Sequence, residues 1–304
     1  MVDIEIPEGL VEAQVENNGE EGREFIAALP ARAAEFLERW ELRRTGPGMH
    51  GWSALVLPVE RADGSAAALK MQLMDEESAG EPAALRAWGG EGCVRLLEHD
   101  EGTGTLLLER LDEGRHLSVL AQRDSRQAVR VIAELLARLT SVAAPPGMRG
   151  LGDIAAEMLD AVPDALGRLA DGRTRGLLRD CAAAVAEVAG EPGDRLLHWD
   201  LHYDNVLAGG REPWLAIDPK PLGGDPGFEL LPALVNNFRV DEVRWRFDLL
   251  TEVLGLDRER ARAWTLGRVL QNCLWDVEDA EDAEDGEVET GEEQWAVAEL
   301  LLKR

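Results

Sequence analysis

The sequence LLHWDLHYDNVL, residues 196–207, consists of two short apolar segments with polar residues between them, and WLAIDPK, residues 214–220, follows it. Asp200 precedes Asn205 by five positions, and Asp218 ends an apolar segment thirteen positions after Asn205. Phosphoryl transfer uses these residue types, because one carboxylate orients or deprotonates the attacking hydroxyl while an amide oxygen and a second carboxylate hold the Mg²⁺ that bridges the nucleotide phosphates. In protein kinases the same roles fall to the catalytic-loop Asp and Asn and to a later metal-binding Asp. The pattern therefore predicts two short strands that carry a phosphotransferase site.

An ordinary structured turn is the alternative interpretation of these polar residues. Asp and Asn favour turns because their side chains bond the nearby backbone. One such residue alone would fit that interpretation, but three at kinase spacing beside apolar strands favour a functional site. His198 is predicted to support the loop and His202 to brace it, since neither has the Cys or His neighbours that metal-ligand spacing requires.

The segments LLHWDLHYDNVL, WLAIDPK and GDPGFEL together resemble the aminoglycoside phosphotransferases, and most closely the branch that contains streptomycin phosphotransferase and hydroxyurea phosphotransferase. The resemblance is specific over roughly the second half of the chain and looser at the start. It implies that Asp200 is the catalytic base, that Asn205 and Asp218 hold Mg²⁺, and that ATP is the phosphoryl donor. Trp199 stands where the family usually has a small residue, so its indole would either narrow the pocket or stack on a substrate.

The fold that this resemblance implies is a two-lobe, protein-kinase-like α+β fold. A small lobe with an antiparallel sheet, residues 1–111, would bind the nucleotide. A mostly helical large lobe, residues 112–304, would carry catalysis and the acceptor site. ATP with magnesium would bind between the two lobes. A chain of 304 residues is long enough for two lobes of ordinary size.

The glycines Gly46, Gly48 and Gly51 form the pattern G-x-G-x-x-G. This pattern marks a dinucleotide-binding turn only where it follows a strand and opens a helix. Here it precedes an apolar segment rich in strand-forming residues, so either a loop over nucleotide phosphates or a plain hairpin is expected. Ser53 is a candidate donor to a phosphate.

Lys70 lies near the end of the predicted strand Ala66 to Met71, which follows the glycine-rich segment. A lysine in that place can reach the α- and β-phosphates of a nucleotide. The resemblance implies that Glu81 holds Lys70, although Glu77 lies one turn away on the same face of a helix predicted over residues 76–88. It also implies a hinge at residues 109–111, where backbone groups of Glu109 to Leu111 would bond the adenine edge.

Helical periodicity predicts one or two helices over residues 23–42, interrupted at Pro30. An amphipathic helix is predicted over residues 125–141, and further helices over 154–170, 176–189, 230–234, 243–254, 258–275 and 293–302. Asp225 is predicted to cap a helix because Pro226 follows it at the first helical position.

The net charge of −27 arises from 59 acidic and 32 basic residues. Such a chain repels nucleic acid and anionic membranes and attracts cations, so a small, hydroxylated and cationic acceptor such as streptomycin is expected. Solubility alone would explain most of the acidity. The alternatives are a kinase of another hydroxylated metabolite and a kinase-like binding module without activity.

Eleven acids and no lysine or arginine occur between Asp276 and Glu293. Such a run usually indicates a solvated segment. In antibiotic phosphotransferases the helices near the C-terminus line a negatively charged substrate cleft, so the resemblance implies an acceptor-facing group at the start of the run. Its predicted members are Trp275, Asp276, Glu278 and Asp279.

The N-terminal residues 1–10 lack a basic region followed by an apolar one, so no secretory signal is expected. The three cysteines are far apart and odd in number, which favours reduced, buried thiols in a cytoplasmic protein. No apolar stretch approaches the length of a membrane span.

Overall fold

The computed structural model of the chain describes residues 4–51, 53–282 and 291–303. The chain divides into two compact units, Met1–Asp112 and Glu113–Arg304. The first unit combines helices with an antiparallel sheet, and the second is mostly helical with short strands. The nucleotide-binding and catalytic roles of the two units remain predictions.

The first unit contains two helices and six strands among its described residues. In chain order these are α1 (Glu8–Arg39), β1 (Arg43–Arg44), β2 (Met49–His50), β3 (Ala54–Glu60), β4 (Ala66–Gln72), α2 (Glu81–Trp88), β5 (Leu96–Asp100) and β6 (Thr105–Glu109). The strands form one sheet in the order β1-β3-β4-β6-β5, with β2 also paired to β3, and every pairing is antiparallel. The glycine-rich segment therefore lies between strands and opens no helix, as the sequence predicts.

Helix α1 is longer than predicted, and its irregular point is elsewhere. Pro30 does not interrupt the helix, which continues to Arg39. The apolar face around Pro30, which includes Leu29 and Ala33, packs into the core of the first unit, and this packing outweighs the lost backbone hydrogen bond. The non-helical residue is Gly19, whose φ of 52° suits glycine.

Helix α2 is shorter than predicted because a turn precedes it. The Asp75 carboxylate accepts hydrogen bonds from the Ser78 backbone N–H and from the Ser78 hydroxyl, both at 2.7 Å. Asp and Ser side chains compete in this way with helical hydrogen bonds. The helix begins at Glu81, so Glu77 does not share a helical face with it.

The second unit contains eight helices and five strands among its described residues. They are β7 (Asp112–His116), α3 (Leu117–Arg123), α4 (Ser125–Leu139), α5 (Leu151–Arg168), α6 (Gly172–Val188), β8 (Arg195–Leu197), β9 (Val206–Ala208), β10 (Leu215–Ala216), β11 (Leu222–Gly224), α7 (Leu230–Val235), α8 (Val243–Leu254), α9 (Arg258–Asp282) and α10 (Glu292–Leu302). Strands β10, β9 and β7 form one small sheet, and β8 pairs antiparallel with β11. Strand β7 and helix α3 were not predicted from the sequence. The loops that join these short strands carry the polar residues of the quoted stretch.

The predicted cap at Asp225 is confirmed. Its carboxylate accepts a hydrogen bond from the Gly227 N–H at 2.8 Å at the start of a short 3₁₀ helix, Pro226–Glu229. The same side chain forms an ion pair with Arg260 at 2.6 Å, which links the turn to α9. The cap thus fixes the segment that follows β11 against the longest helix of the second unit.

The three cysteines are buried and form no disulfide, in agreement with the prediction. None of the helices in the described ranges combines the length and the apolar composition that crossing a bilayer requires.

Gly193 and Gly147 provide a matched pair for testing how the loop before β8 is packed. Both have a φ of about +83°, but a Cβ at Gly193 would lie 2.8 Å from backbone atoms of Gly224 and Asp225, whereas a Cβ at Gly147 meets no described atom within 4 Å. We expect Gly147→Ala to lower the free energy of unfolding by about 1 kcal/mol, through backbone strain alone. Gly193→Ala should cost about 1–3 kcal/mol more because backbone atoms must move. Urea denaturation of the two variants measures the difference, and equal costs would contradict this account of the packing.

Candidate active site

Strand β8 leads directly into the loop that carries Asp200. The side chain of Asn205 turns back on this loop, since its amide Nδ2 donates to the Asp200 carbonyl at 2.9 Å. Between them, the buried Tyr203 anchors a 3₁₀ turn by donating its hydroxyl to the Ala233 carbonyl at 3.2 Å. Asp200 itself is partly exposed. The loop therefore presents a carboxylate and an amide oxygen from one rigid turn.

The segment that ends at Asp218 is hydrogen-bonded to the same loop. The Ile217 N–H donates to the Asn205 carbonyl at 2.9 Å, one residue before Asp218. Asp218 adopts a φ of 57°, which is uncommon for a residue other than glycine and recurs at active sites. The structure thus joins the segments of Asn205 and Asp218, as the predicted metal site requires.

The oxygen atoms of this pair suit Mg²⁺. Because the Asn205 amide nitrogen is bonded to the Asp200 carbonyl, the side-chain oxygen is the atom that Asn205 can offer to a cation. Mg²⁺ prefers oxygen ligands and is usually bound through one or two protein groups together with substrate phosphates. Within the described residues, no group of three or more His, Cys, Asp or Glu side chains could hold a metal ion. The donor set therefore fits a metal that enters with a nucleotide.

His198 supports the loop from inside, as the sequence predicts. Its ring is fully buried, and Nε2 donates to the Ile217 carbonyl at 2.9 Å. The His198 carbonyl accepts from the Lys220 N–H at 3.0 Å. Burial lowers the pKa of His198 to about 4, so the ring is neutral near pH 7. This histidine holds the segment around Asp218 against the end of β8.

Glu229, which was not predicted, fixes the backbone just before Asp200. It is 0% exposed, and its two carboxylate oxygens accept the backbone N–H groups of His198 and Trp199, the latter at 3.0 Å. Burial raises the pKa of Glu229 to about 7, while the two N–H donors and Arg268 act in the opposite direction. An acid inside the apolar sequence Phe228-Glu229-Leu230 is the only sign of this role that the sequence offers.

The structure corrects the expectation that Trp199 can stack on a substrate. Its indole is 1% exposed, and the guanidinium carbons of Arg149 and Arg268 lie over the ring at 4.8 and 4.6 Å from its centroid. Cation–π contacts of this kind are attractive, and more so when they are shielded from water. The indole is therefore part of the protein interior behind the loop, where it takes up space beside Asp200.

Trp275 and the acids that follow it on α9 differ from one another in exposure and in hydrogen bonding. Trp275 is 36% exposed, with its ring centroid 6.0 Å from that of Trp199. Asp276 accepts a hydrogen bond from Gln294 of α10 at 3.1 Å, and burial raises its pKa to about 6. Glu278 and Asp279 are exposed on α9. Residues 283–290 of the acidic run lie outside the described residues.

In the first unit, Lys70 pairs with Glu81. The Nζ atom lies 2.9 and 2.8 Å from the two carboxylate oxygens of Glu81, and both residues are buried. The Gln72 side chain donates to the same carboxylate at 2.8 Å. Glu81 is the first residue of α2, where a negative charge is favoured by the helix dipole. The structure thus pairs Lys70 with Glu81, the partner that the resemblance implies.

The other predicted nucleotide contacts also lie in the first unit. The Ser53 carbonyl accepts from the buried Gln14 of α1 at 3.0 Å, which ties the loop before β3 to that helix. The Glu109 N–H donates to the Arg95 carbonyl at 2.9 Å, and the Glu109 side chain accepts from the Arg95 N–H. Leu111 is buried. The backbone N–H of Glu109 is therefore used within the protein, so an adenine contact by Glu109 would involve its carbonyl.

Comparison with known proteins gives one matching family and several full-length relatives. The family described as aminoglycoside/hydroxyurea antibiotic resistance kinase matches residues 39–280. A hydroxyurea phosphotransferase of Kitasatospora aureofaciens is 71% identical over 301 residues, which cover 99% of this chain and 87% of the relative. A streptomycin 6-kinase of Streptomyces griseus is 55% identical over 308 residues, covering 99% of this chain and 98% of the relative.

Among solved structures, a choline/ethanolamine kinase family protein from Mesorhizobium loti matches with a TM-score of 0.62 at 17% sequence identity. The match covers 86% of this chain and 88% of the other. At that identity the likeness concerns the fold alone. It confirms the predicted protein-kinase-like α+β fold.

His198 gives a test of this arrangement through the pH dependence of stability. Its folded pKa of about 4 lies below the usual histidine pKa of 6.5, so between these values the unfolded chain binds a proton that the folded chain does not. The wild type should therefore lose stability as the pH falls from 6.5 towards 4, by about 3 kcal/mol at most, and His198→Gln should lack this loss. Urea denaturation of both proteins across this range measures it.

The difference between the two proteins isolates His198, because the raised pKa of Glu229 is present in both and cancels. The stability advantage of the wild type over His198→Gln should be largest above pH 6.5 and should shrink below it. A difference that stays constant from pH 7 to pH 4 would contradict a neutral, buried histidine.

Proposed function

The chain belongs to the aminoglycoside/hydroxyurea antibiotic resistance kinase family, and we propose that it transfers the γ-phosphate of ATP to a hydroxyl of a small antibiotic. One observation carries the residue assignment: hydrogen bonds join Asp200, Asn205 and the residue before Asp218 into one unit. These are the residue types that phosphoryl transfer requires. An inactive binding module would have no need to keep all three together.

Asp200 is the proposed catalytic base. Its partly exposed carboxylate accepts the proton of the acceptor hydroxyl, or orients that hydroxyl for in-line attack on the phosphorus. Asn205 and Asp218 are the proposed ligands of Mg²⁺, which when bound neutralises charge on the phosphates. The backbone around Asp200 is held by hydrogen bonds on both sides, so the carboxylate is positioned before the acceptor arrives.

Lys70 is the proposed contact to the nucleotide phosphates. Its ammonium group is fixed by Glu81, and Gln72 in turn fixes Glu81, so the charge is held in place at the end of β4. A buried lysine paired in this way is a feature of the nucleotide site in protein kinases. Ser53 is the further proposed contact to a phosphate, and the backbone groups of Glu109 and Leu111 are the proposed contacts to adenine.

Streptomycin is the first proposed acceptor. It is cationic, the chain carries a net charge of −27, and a relative over 99% of this chain is named a streptomycin 6-kinase. Hydroxyurea is the second, because a relative that is 71% identical is named a hydroxyurea phosphotransferase. The buried Trp199 indole occupies space beside Asp200, and this favours a small acceptor group at that point.

An ATP-consumption assay with each acceptor tests the proposal directly. We expect ADP formation that depends on the acceptor and on Mg²⁺, with saturation by streptomycin or by hydroxyurea. Phosphorylated product identified by mass spectrometry distinguishes transfer from ATP hydrolysis. If neither compound is phosphorylated although ATP with Mg²⁺ raises the melting temperature, the nucleotide site stands and the acceptor assignment is wrong.

Asp200→Ala should lower kcat by at least about 100-fold, because the base that receives the hydroxyl proton is removed. The partly exposed side chain should be removed without unfolding the protein, so the melting temperature should stay close to that of the wild type. Asp194→Ala is the matched control, since Asp194 is an exposed acid just before β8. If Asp200→Ala has the same kcat as Asp194→Ala, the assignment of Asp200 as the catalytic base is wrong.

The acids at the end of α9 are proposed to attract a cationic acceptor. Replacing Asp276, Glu278 and Asp279 by the matching amides should raise KM for streptomycin several-fold and weaken its dependence on salt, because local attraction is lost. The KM for hydroxyurea, which is uncharged, should change little.

A control triple variant keeps the same change in net charge. It replaces Glu12, Glu16 and Glu24, which are exposed on α1 in the first unit, by glutamine. If both triple variants raise KM for streptomycin equally, the effect belongs to the total charge of the protein and not to α9.

A further inference from the structure

Trp199 combines an uncommon backbone conformation with a buried side chain. Its φ of 67° lies in the left-handed region, where glycine is favoured and a bulky residue costs about 1–3 kcal/mol. Its indole nevertheless heads the largest fully buried side chains of the described chain. Such a conformation persists only where the surroundings hold it in place. The groups that hold it therefore also determine the position of the next residue, Asp200.

Arg268 contacts the Trp199 ring and acts electrostatically on Glu229. Its guanidinium carbon lies 4.6 Å from the centroid of the Trp199 ring, and its positive charge acts on the Glu229 carboxylate that accepts the His198 and Trp199 N–H groups. The side chain is 8% exposed, and its Nη1 atom donates to Gln271 at 2.6 Å. The side chain of Arg268 is thus fixed on α9 and directed at the loop.

The same helix face leads to Trp275. Residues 268, 271 and 275 lie three or four positions apart, so they follow one another along one side of α9. The Arg268 guanidinium carbon lies 5.2 Å from the Trp275 ring, which is partly exposed. A line of contacts therefore runs from a surface-exposed ring on α9 to the backbone that carries Asp200.

We propose that Arg268 is a positioning residue for phosphoryl transfer: it covers the Trp199 indole and places a positive charge near the Glu229 carboxylate, and through these two groups it fixes the direction of Asp200. This inference rests on the proposed function, because it concerns the same catalytic carboxylate. It adds that α9, which carries the proposed acceptor-facing residues, also sets the geometry of the base. A change of α9 in response to the acceptor would then act on Asp200 through Arg268.

The Arg268 guanidinium provides a positive charge near Glu229 and a planar group over Trp199, and two substitutions distinguish these properties. Arg268→Lys keeps the positive charge near Glu229 but loses the planar group over Trp199, since arginine and lysine are not equivalent at a stacked site. Arg268→Met loses both. We expect kcat to fall about tenfold in Arg268→Lys and at least as much in Arg268→Met, because a small displacement of a catalytic group is costly. KM for ATP should stay within about twofold in both.

The pH profile of kcat distinguishes the two substitutions. The charged groups that act on Glu229 are Arg268 from α9 and Asp200 from the loop, together with the N–H groups of His198 and Trp199. Because Arg268 lowers the pKa of Glu229, its removal should raise that pKa, and a protonated carboxyl cannot accept both N–H groups equally well. The acid limb of the profile should therefore move to higher pH in Arg268→Met and stay in place in Arg268→Lys.

Arg262→Met is the matched control, because it removes an arginine from the same helix that pairs with Glu259. It should keep the kcat, the KM for ATP and the pH profile of the wild type. A general loss of folded protein would lower the apparent activity at every pH alike and would leave the acid limb where it is. Arg268→Lys with the kcat of the wild type would overturn the proposal, whether or not Arg268→Met folds.

Hydrogen exchange provides a second readout that needs no turnover. The amide hydrogens of His198 and Trp199, which donate to Glu229, should exchange at least about tenfold faster in Arg268→Lys than in Arg262→Met. If the wild type phosphorylates no acceptor but this exchange still increases, the proposed function fails and the positioning role stands. Unchanged exchange together with unchanged kcat in Arg268→Lys removes the positioning role and leaves the proposed function intact.

Discussion

A buried carboxylate bonded to two consecutive backbone N–H groups is the interaction on which the catalytic loop depends. Glu229 accepts the N–H groups of His198 and Trp199, and this holds Trp199 at a positive φ just before Asp200. A bond to a charged acceptor is stronger than one between neutral groups, and a buried carboxylate without donors would be costly. The energy of burying Glu229 is therefore offset only when the loop has this one conformation. The backbone strain at Trp199 is offset by the hydrogen bonds to the buried Glu229 carboxylate. Asp200, which follows, is therefore held in one direction.

The loop is fixed from its other side by a different kind of bond. His198 is neutral and donates to the Ile217 carbonyl, while the Ile217 N–H donates to the Asn205 carbonyl. The Ile217 carbonyl thus accepts one hydrogen bond and its N–H donates another, and both connect Ile217 to the segment that contains Asp200. This explains how three polar residues from two strand ends can stay together without a disulfide or a large sheet. The apolar strands bury these segments, and hydrogen bonds from backbone groups next to the functional residues keep the segments aligned.

The features that can be predicted from the sequence are those whose surroundings are local. The spacing of Asp200, Asn205 and Asp218 follows from short strands and tight turns, so it is visible within about twenty residues, and the cap at Asp225 needs only its neighbours. The continuous helix through Pro30 could not be predicted, because packing in the core decides it. Arg268 lies 69 positions after Trp199, and no local pattern shows that a buried arginine of a distant helix covers that indole. Long-range contacts of this kind are set by the fold and have no periodicity of their own.

The charge around Asp200 differs from the charge of the chain as a whole. The net charge is −27, yet two arginines lie over the indole beside the proposed base. Exposed acids act over about one Debye length and are screened by salt, whereas buried guanidinium groups act on their neighbours with little screening. The acids on the surface can therefore attract a cation to the protein, while Arg268 offsets the negative charge of Glu229 behind the loop. The two arginines thus place positive charge behind the loop of a protein whose surface is acidic.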